Sequence, residues 1–291
     1  MKIPILNPED GYLRLKIELA YDGTRYAGWA KQPNQLTIQA EIESAIFKVT
    51  RNRSSTVVAG RTDAGVHAAH QIIHLDLPSD AAVSRYRPDE NRWEIGNLAF
   101  RLNQILDEDI RILKVEVASQ DFHARYSALS REYTYKILDG GRQIPPLQRF
   151  GVAPWYRELD LDLLNEVCAQ LLGEHDFAAF CKFREASTTI RNLQEFSWQR
   201  DNIGFLVARI RADAFCYSMI RNLVGAAVCV GEKRFPAQWM LDIFTAKSRV
   251  SDSYVFPARG LTLVKIEYPD EDGLRNRALL TANRRDDKRS S

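Results

Sequence analysis

The sequence predicts an α+β protein, and three observations point to this class. Residues 13–19 (LRLKIEL) and 132–138 alternate apolar and polar side chains, as strands with one buried face do. Between such stretches lie segments with helical periodicity. The order of strands and helices in the first part of the chain resembles the order in the second, although no repeat is legible residue by residue. We therefore expect two similar α+β halves.

In the first half, alternation and β-branched residues predict strands over residues 13–19, 56–59, 71–77 and 111–117. Helices are predicted over 38–49 and around 97–106. Thr37 is a candidate N-cap for the first helix, because a hydroxyl can accept a hydrogen bond from the amides of the first turn. Asp22 and Gly23 indicate a turn after the first strand.

In the second half, strands are predicted over residues 132–138, 193–199, 205–211 and 261–267. One helix is expected to begin near Leu161 and to close at Gly173. Two more are expected over 217–230 and 236–244, the latter with proline in its first turn. The segment 140–154 contains several glycines, prolines and arginines, which indicates an exposed loop.

Length and composition allow a large core. The 291 residues are 45% hydrophobic and 27% charged, which suffices for one large domain or two of roughly 140 residues and excludes a disordered chain or a small disulfide scaffold. The four cysteines form no C-x-x-C motif and the N-terminus has no apolar signal segment, so we expect a cytoplasmic protein with reduced thiols. The most apolar stretch, 212–231, carries Asp213 and Arg221, which argues against a membrane span.

The charge is unevenly distributed along the chain. The net charge is +2, but residues 273–291 hold six basic and two acidic residues, so that this tail carries +4 and the body about −2. The overall charge therefore does not identify a nucleic-acid binder. Any such site must be a local basic patch.

The segment GRTDAGVHA, residues 60–68, is the most distinctive motif. Residue types alone favour a plain turn between two strands. The functional interpretation is that the glycines allow a tight bend that presents the Asp63 carboxylate to a ligand. Arg61 would keep that carboxylate ionised, as a nucleophile or general base requires.

Two further residues have both a structural and a functional interpretation. Arg221 lies in an otherwise apolar helix, where it either extends to the surface at the helix edge or points into a polar cleft and pairs with a carboxylate or phosphate. Tyr133 is either a core aromatic residue of its strand or a stacking platform for a base.

The sequence does not favour a metal or an organic cofactor. His67, His70 and His74 are closely spaced, but His70 and His74 would share a strand face while His67 lies in the preceding turn, so the three would not converge on one ion. The chain contains no G-x-G-x-x-G, Walker or G-x-S-x-G motif. We expect no cofactor and no metal.

GRTDAGVHA resembles the signature of the tRNA pseudouridine synthase A (TruA) family. The resemblance extends over about residues 12–269, through segments 21–46, 121–137, 175–182, 215–231 and 256–269. It implies two pseudo-symmetric halves with mainly antiparallel sheets joined around a central basic cleft, and helices on the outer faces. The implied division is a lead over 1–11, halves over 12–118 and 119–269, and a basic, flexible tail over 270–291.

The resemblance also implies an activity: isomerisation of uridine to pseudouridine at positions 38, 39 and 40 of the tRNA anticodon stem-loop. It implies an enzyme without cofactor or metal that acts as a homodimer and binds tRNA. By position, Asp63 matches the catalytic aspartate and Tyr133 the tyrosine that packs on the target base. Arg221 matches the arginine that holds the carboxylate, and Arg61 a residue implicated in flipping or holding RNA.

Some positions depart from the family pattern, and some alternatives stay open. Ala30, Ser218, Ser248 and the pair Val255–Phe256 replace residues common in the family. The sequence does not decide whether Asp63 attacks C1′ or C6 or abstracts the 2′ proton. The alternatives are a synthase with other RNA targets, a catalytically silent RNA-binding module and, least favoured, a metal hydrolase. The tail is either a disordered end or an auxiliary tRNA contact.

Overall fold

The computed structural model describes residues 11–82, 85–87, 92–94, 97–182, 188–246 and 255–286. Its strands are, in chain order, β1 (Tyr12–Tyr21), β2 (Val57–Val58), β3 (His67–Pro78), β4 (Arg85–Arg87), β5 (Arg92–Glu94), β6 (Ile110–Val117), β7 (Ser130–Leu138), β8 (Ala153–Pro154), β9 (Gly173–Asp176), β10 (Ile190–Arg200), β11 (Leu206–Ala212) and β12 (Leu261–Glu267). Its helices are α1 (Ile38–Thr50), α2 (Ser79–Ala82), α3 (Leu98–Asn103), α4 (Leu161–Ala169), α5 (Met219–Gly231), α6 (Ala237–Ala246) and α7 (Glu271–Asp286). The predicted α+β class is confirmed.

The described chain forms two compact units. Unit 1 contains the residues up to Leu129 together with those from Lys265 onward, and unit 2 contains Ser130–Val264. The sequence predicts halves over 12–118 and 119–269, whereas in the structure the division falls between Leu129 and Ser130. Unit 2 is thus one continuous stretch of chain, and unit 1 is built from the stretches on either side of it.

In unit 1, β1 is the central strand of an antiparallel sheet between β6 and β3. Leu15, Ile17 and Leu19 of β1 are completely buried, because the alternating sequence turns every second side chain to one face. The short strand β2 pairs with β3. Helix α1 begins after Thr37, as predicted, but the Thr37 side chain makes no capping hydrogen bond.

In unit 2, β7, β11, β10 and β9 form an antiparallel sheet in that order, and β12 lies beside β7. The two-residue strand β8 pairs parallel to β7, within the segment predicted as a loop. Helix α4 packs on β10 and on α5. The Asp160 carboxylate caps α4 by accepting from two amides of its first turn. Helix α4 ends at Ala169, before the predicted closure at Gly173.

Two expectations are corrected by the structure. Residues 271–286 form helix α7 instead of a flexible tail. It packs on unit 1 through Leu274, Ala278 and Ala282, which lie four residues apart on one helix face and are buried. The sequence signal is weak because alanines and charged residues dominate the segment.

The second correction concerns the thiols. Cys181 and Cys216 are paired as a disulfide with Cα atoms 5.8 Å apart, whereas Cys168 and Cys229 are free and buried. Because the paired residues are 35 positions apart, only the folding of unit 2 brings them together. Among the described residues, no helix has both the length and the apolar composition needed to cross a membrane.

Candidate functional site

The loop between β2 and β3 carries Asp63 on a tight turn. The amide of Val66 donates to the carbonyl of Asp63 over 3.2 Å, which closes a four-residue turn. Gly65, third in this turn, has φ +75°, a conformation that glycine adopts at no steric cost. Thr62 is buried, Asp63 is half-buried and Arg61 is exposed. The glycine-dependent bend that the sequence predicts is present.

The segment that follows β1 holds this loop from one side. The amide of Trp29 donates to the carbonyl of Thr62 over 3.0 Å, and the amide of Gly65 donates to the carbonyl of Tyr26 over 3.2 Å. Gly28 has φ +100°, and a Cβ atom at this position would lie 2.8 Å from the Thr62 carbonyl oxygen. The two backbones therefore approach more closely than a side chain would allow.

Tyr133 lies in β7 and its ring is 6% exposed. It shares a buried face with Tyr135 and Ile137, as the alternation predicts. The edge of its ring meets Phe215, with centroids 5.3 Å apart and planes at 87°. This burial fits the core interpretation, and an aromatic ring fixed by a second ring is also what a stacking platform requires.

Arg221 is the half-buried residue in helix α5, where the residues around it are buried. Its Nε donates to the carbonyl of Phe256 over 2.7 Å, and the amide of Phe256 donates back to the carbonyl of Arg221 over 3.1 Å. Burial raises the pKa of Tyr135 far above its usual range, and the positive charge of Arg221 acts against that rise. The guanidinium is thus anchored within unit 2.

The sequence is similar to known proteins over nearly the whole chain. A family model described as tRNA pseudouridine synthase matches residues 167–269. The tRNA pseudouridine synthase A of Frankia casuarinae is 45% identical over 94% of this chain and 95% of its own length. Those of Streptomyces griseus and Mycobacterium leprae are 44% and 42% identical, again over 94% of this chain and 95% or 96% of their own lengths.

The chain belongs to the tRNA pseudouridine synthase A family. The four site residues that the resemblance indicates lie in both units of this family member. Asp63 and Arg61 lie in unit 1, and Tyr133 and Arg221 lie in unit 2. Their catalytic and binding roles stay predictions.

Arg142, in the segment 140–154 that the sequence predicts as an exposed loop, has a structural role in this synthase family member. Its guanidinium donates to the buried Asp139 carboxylate over 2.6 Å, and Arg200 donates to the same carboxylate over 2.9 Å. Arg149, in the same segment, lies 4.0 Å from the centre of the Phe150 ring and donates to the carbonyl of Pro146.

The three closely spaced histidines contact different partners. His67 lies within β3, not in the preceding turn as predicted, and its Nδ1 accepts from the amide of Gly23 over 3.1 Å. His70 contacts Glu18, whereas Nδ1 of His74 accepts from the amide of Ala124. No group of three metal-ligating side chains occurs within the described ranges.

The positions that depart from the family pattern fall in different settings. Ser218 precedes α5 with φ +60°, and Phe256 is buried against Tyr135 and Trp155. Ala30 is half-buried beside the segment that holds the Asp63 loop. Ser248 lies outside the described residues.

Sequence reasoning missed two buried polar side chains beneath the Asp63 loop, Tyr21 and Gln71. The Tyr21 hydroxyl lies 2.8 Å from Oγ1 of Thr62, and Nε2 of Gln71 donates to the carbonyl of Gly60 over 2.8 Å. A glutamine in the apolar stretch 71–77 is the one signal that the sequence offers, because a buried amide needs partners.

Proposed function

We propose that this family member converts uridine to pseudouridine in tRNA. The observation that carries the proposal is family membership over 94% of the chain, together with the glycine turn that presents Asp63. In the reaction the C1′–N1 bond breaks, the base turns, and C5 bonds to C1′. C5 then loses its hydrogen and N1 gains one. The enzyme is therefore an isomerase, an intramolecular transferase.

The finer proposal concerns the substrate positions. The uridines are those at positions 38, 39 and 40 of the anticodon stem-loop. A uridine in a helical stem hides its glycosidic bond, so the enzyme must extrude the nucleotide, at a cost of a few kcal/mol. Exposed Arg61 would contact the RNA and help to offset this cost.

Three side chains carry out the chemistry in this proposal. Asp63 is the nucleophile, and Tyr133 packs on the flipped base. Arg221 holds the carboxylate and stabilises charge as the base departs. The isomerisation is balanced without an added oxidant, reductant or group donor, so the proposal includes no cofactor or metal. It also includes a homodimer in the cytoplasm, which light scattering of the purified protein and fractionation of cells would test.

The first test follows tritium release from tRNA labelled at C5 of uridine. We expect release with the wild-type protein and none with Asp63→Asn, because re-bonding at C5 must expel that hydrogen. The matched control is Asp80→Asn, which removes an exposed carboxylate of unit 1 and is expected to keep full release. Filter binding should give similar tRNA affinities for all three proteins.

The alternatives predict other results. Tight tRNA binding without release by the wild type would support a silent RNA-binding module. Release from another RNA but not from tRNA would support a synthase with other targets. To test which uridines are converted, uridine 38, 39 or 40 is replaced by cytidine in separate tRNAs. Each of these tRNAs should release less tritium, by the amount that comes from the replaced position.

A further inference from the structure

We infer that Tyr21 and Gln71 are positioning residues for the catalytic loop, which they hold at Gly60 and Thr62 so that the Asp63 carboxylate has a fixed place. The inference rests on the proposed function, in which Asp63 is the nucleophile. It adds two residues that reach the reaction through the loop backbone and not by touching the substrate.

The two side chains meet because of the strand pairing in unit 1. Gln71 in β3 pairs with Leu19 in β1, and Tyr21 follows two residues later, past an irregularity in the register. Paired residues of antiparallel strands share a face, and so do residues two apart in one strand. Both side chains therefore point to the buried face, where Gln71 is 0% and Tyr21 4% exposed.

The hydrogen bonds run from Gln71 to the loop. The amide of Ile72 donates to Oε1 of Gln71, which directs Nε2 toward the loop. Nε2 then donates to the carbonyl of Gly60 over 2.8 Å and to the Tyr21 hydroxyl over 3.3 Å. The Tyr21 hydroxyl and Thr62 Oγ1 lie 2.8 Å apart and share a hydrogen bond, so the series of bonds continues to Thr62. Chains of this kind strengthen each bond in them.

These hydrogen bonds complete a set of contacts that hold the loop backbone on both sides of Asp63. Gly60 and Thr62 are held before it, and the Gly65 amide is held after it by the carbonyl of Tyr26. Burial also raises the pKa of Tyr21 to about 12, so its hydroxyl stays protonated at neutral pH. Removing the Tyr21 or Gln71 anchor would leave the fold of the sheet in place and loosen the segment that carries the nucleophile.

The test compares Tyr21→Phe with Tyr268→Phe in the full-length protein. Both substitutions remove one phenol hydroxyl in unit 1, but that of Tyr268 donates to the carbonyl of Ala124 and not to the loop. We expect Tyr21→Phe to lower kcat for tritium release about 10- to 100-fold, because small displacements of a reacting group have effects of this size. We expect KM for tRNA to change less than about twofold, since the substrate does not touch Tyr21. Tyr268→Phe should stay within about twofold of the wild type in kcat.

Two further arms separate positioning from general loss of structure. Thr62→Val should lower kcat as Tyr21→Phe does. Thr62→Ser should keep kcat near the wild-type value, because serine keeps the hydroxyl that bonds to Tyr21. The double variant Tyr21→Phe/Thr62→Val should be no slower than the slower single variant, since both changes remove the same hydrogen bond. Gln71→Met should also lower kcat with little change in KM.

Amide hydrogen exchange provides a readout that does not depend on activity. Peptides covering residues 60–66 should exchange faster in Tyr21→Phe than in Tyr268→Phe, while those covering β6 should not differ. Equal kcat values for the two tyrosine variants, or additive losses in the double variant, would overturn the inference. A wild-type protein that releases no tritium would instead overturn the proposed function, and the exchange data would still decide whether Tyr21 holds the loop.

Discussion

At Gly28 a single residue determines how closely two backbones approach next to the Asp63 loop. Its φ of +100° lies in a region that side-chain-bearing residues rarely adopt, and a Cβ would lie 2.8 Å from the Thr62 carbonyl oxygen and 3.1 Å from the Ala64 amide. Any other residue would therefore strain the backbone and also push the Asp63 loop away. The backbone strain and the displacement would both affect the backbone next to Asp63.

We accordingly expect Gly28→Ala to lower both stability and activity. The free energy of unfolding in urea should fall by about 1–3 kcal/mol, the usual cost of a strained backbone, and kcat for tritium release should fall at least tenfold or so. Gly151→Ala is the control, because nothing lies within 4 Å of a Cβ at that position. If Gly28→Ala matched Gly151→Ala in both measurements, the close approach would not matter.

At the scale of elements, Asp139 joins the end of β7 to the end of β10. Its carboxylate is buried and accepts from Arg142, Arg200 and the amide of Leu159. Burial alone would raise the pKa of this carboxyl, but the bonds from Arg200, the Leu159 amide and Arg142 outweigh it and lower the pKa to about 2. The ionised form is thus part of the folded structure of unit 2.

This lowered pKa predicts how stability depends on pH. Between its ordinary pKa of 3.8 and about 2, Asp139 is protonated more in the unfolded chain than in the folded one. Its contribution is therefore complete above about pH 4 and is lost as the pH falls toward 2. The difference corresponds to about 2 kcal/mol.

Urea unfolding between pH 2 and pH 6 would measure this dependence. Asp139→Asn should be less stable than the wild type at pH 6 and should lose less stability on acidification. Asp162→Asn, which removes an exposed carboxylate of α4, should follow the wild-type curve. Parallel curves for wild type and Asp139→Asn would show that the carboxylate does not stabilise unit 2.

The strands of the two units were largely predictable from the sequence, whereas the contacts between separate elements were not. Alternation located β1 and β7 to within two residues at each end, because one-sided burial leaves a two-residue period. The motif singled out Asp63, but no local pattern indicated that Gln71 would reach Gly60, since that contact depends on the pairing of β2 with β3. Likewise, no local pattern indicated that Asp139 would bind Arg200 as well as the nearby Arg142, because Arg200 lies on another strand, 61 residues away.

At the scale of the whole molecule, unit 1 consists of two stretches of chain that lie before and after unit 2 in the sequence. Helix α7 belongs to the second stretch and packs against residues of the first. Ser127 donates from its hydroxyl to the carbonyl of Leu274 over 3.2 Å, and Arg275 pairs with Asp121 over 2.8 Å. Leu274 is 6% exposed, whereas Leu280 in the same helix is 59% exposed. One face of α7 is therefore part of the unit 1 core, whereas Arg275, Asn276, Leu279 and Leu280 of the same helix are exposed.

Two substitutions of the same kind in α7 would test this role. Leu274→Ala should lower the free energy of unfolding by about 2–5 kcal/mol, because it removes buried methyl groups and leaves a cavity. Leu280→Ala should change it by less than about 0.5 kcal/mol, as is usual for exposed positions. Both variants should keep the wild-type KM for tRNA if α7 acts through packing alone. A raised KM in Leu280→Ala without lost stability would indicate that the outward face of α7 contacts the RNA, and equal stability of the two variants would show that α7 is not part of the core.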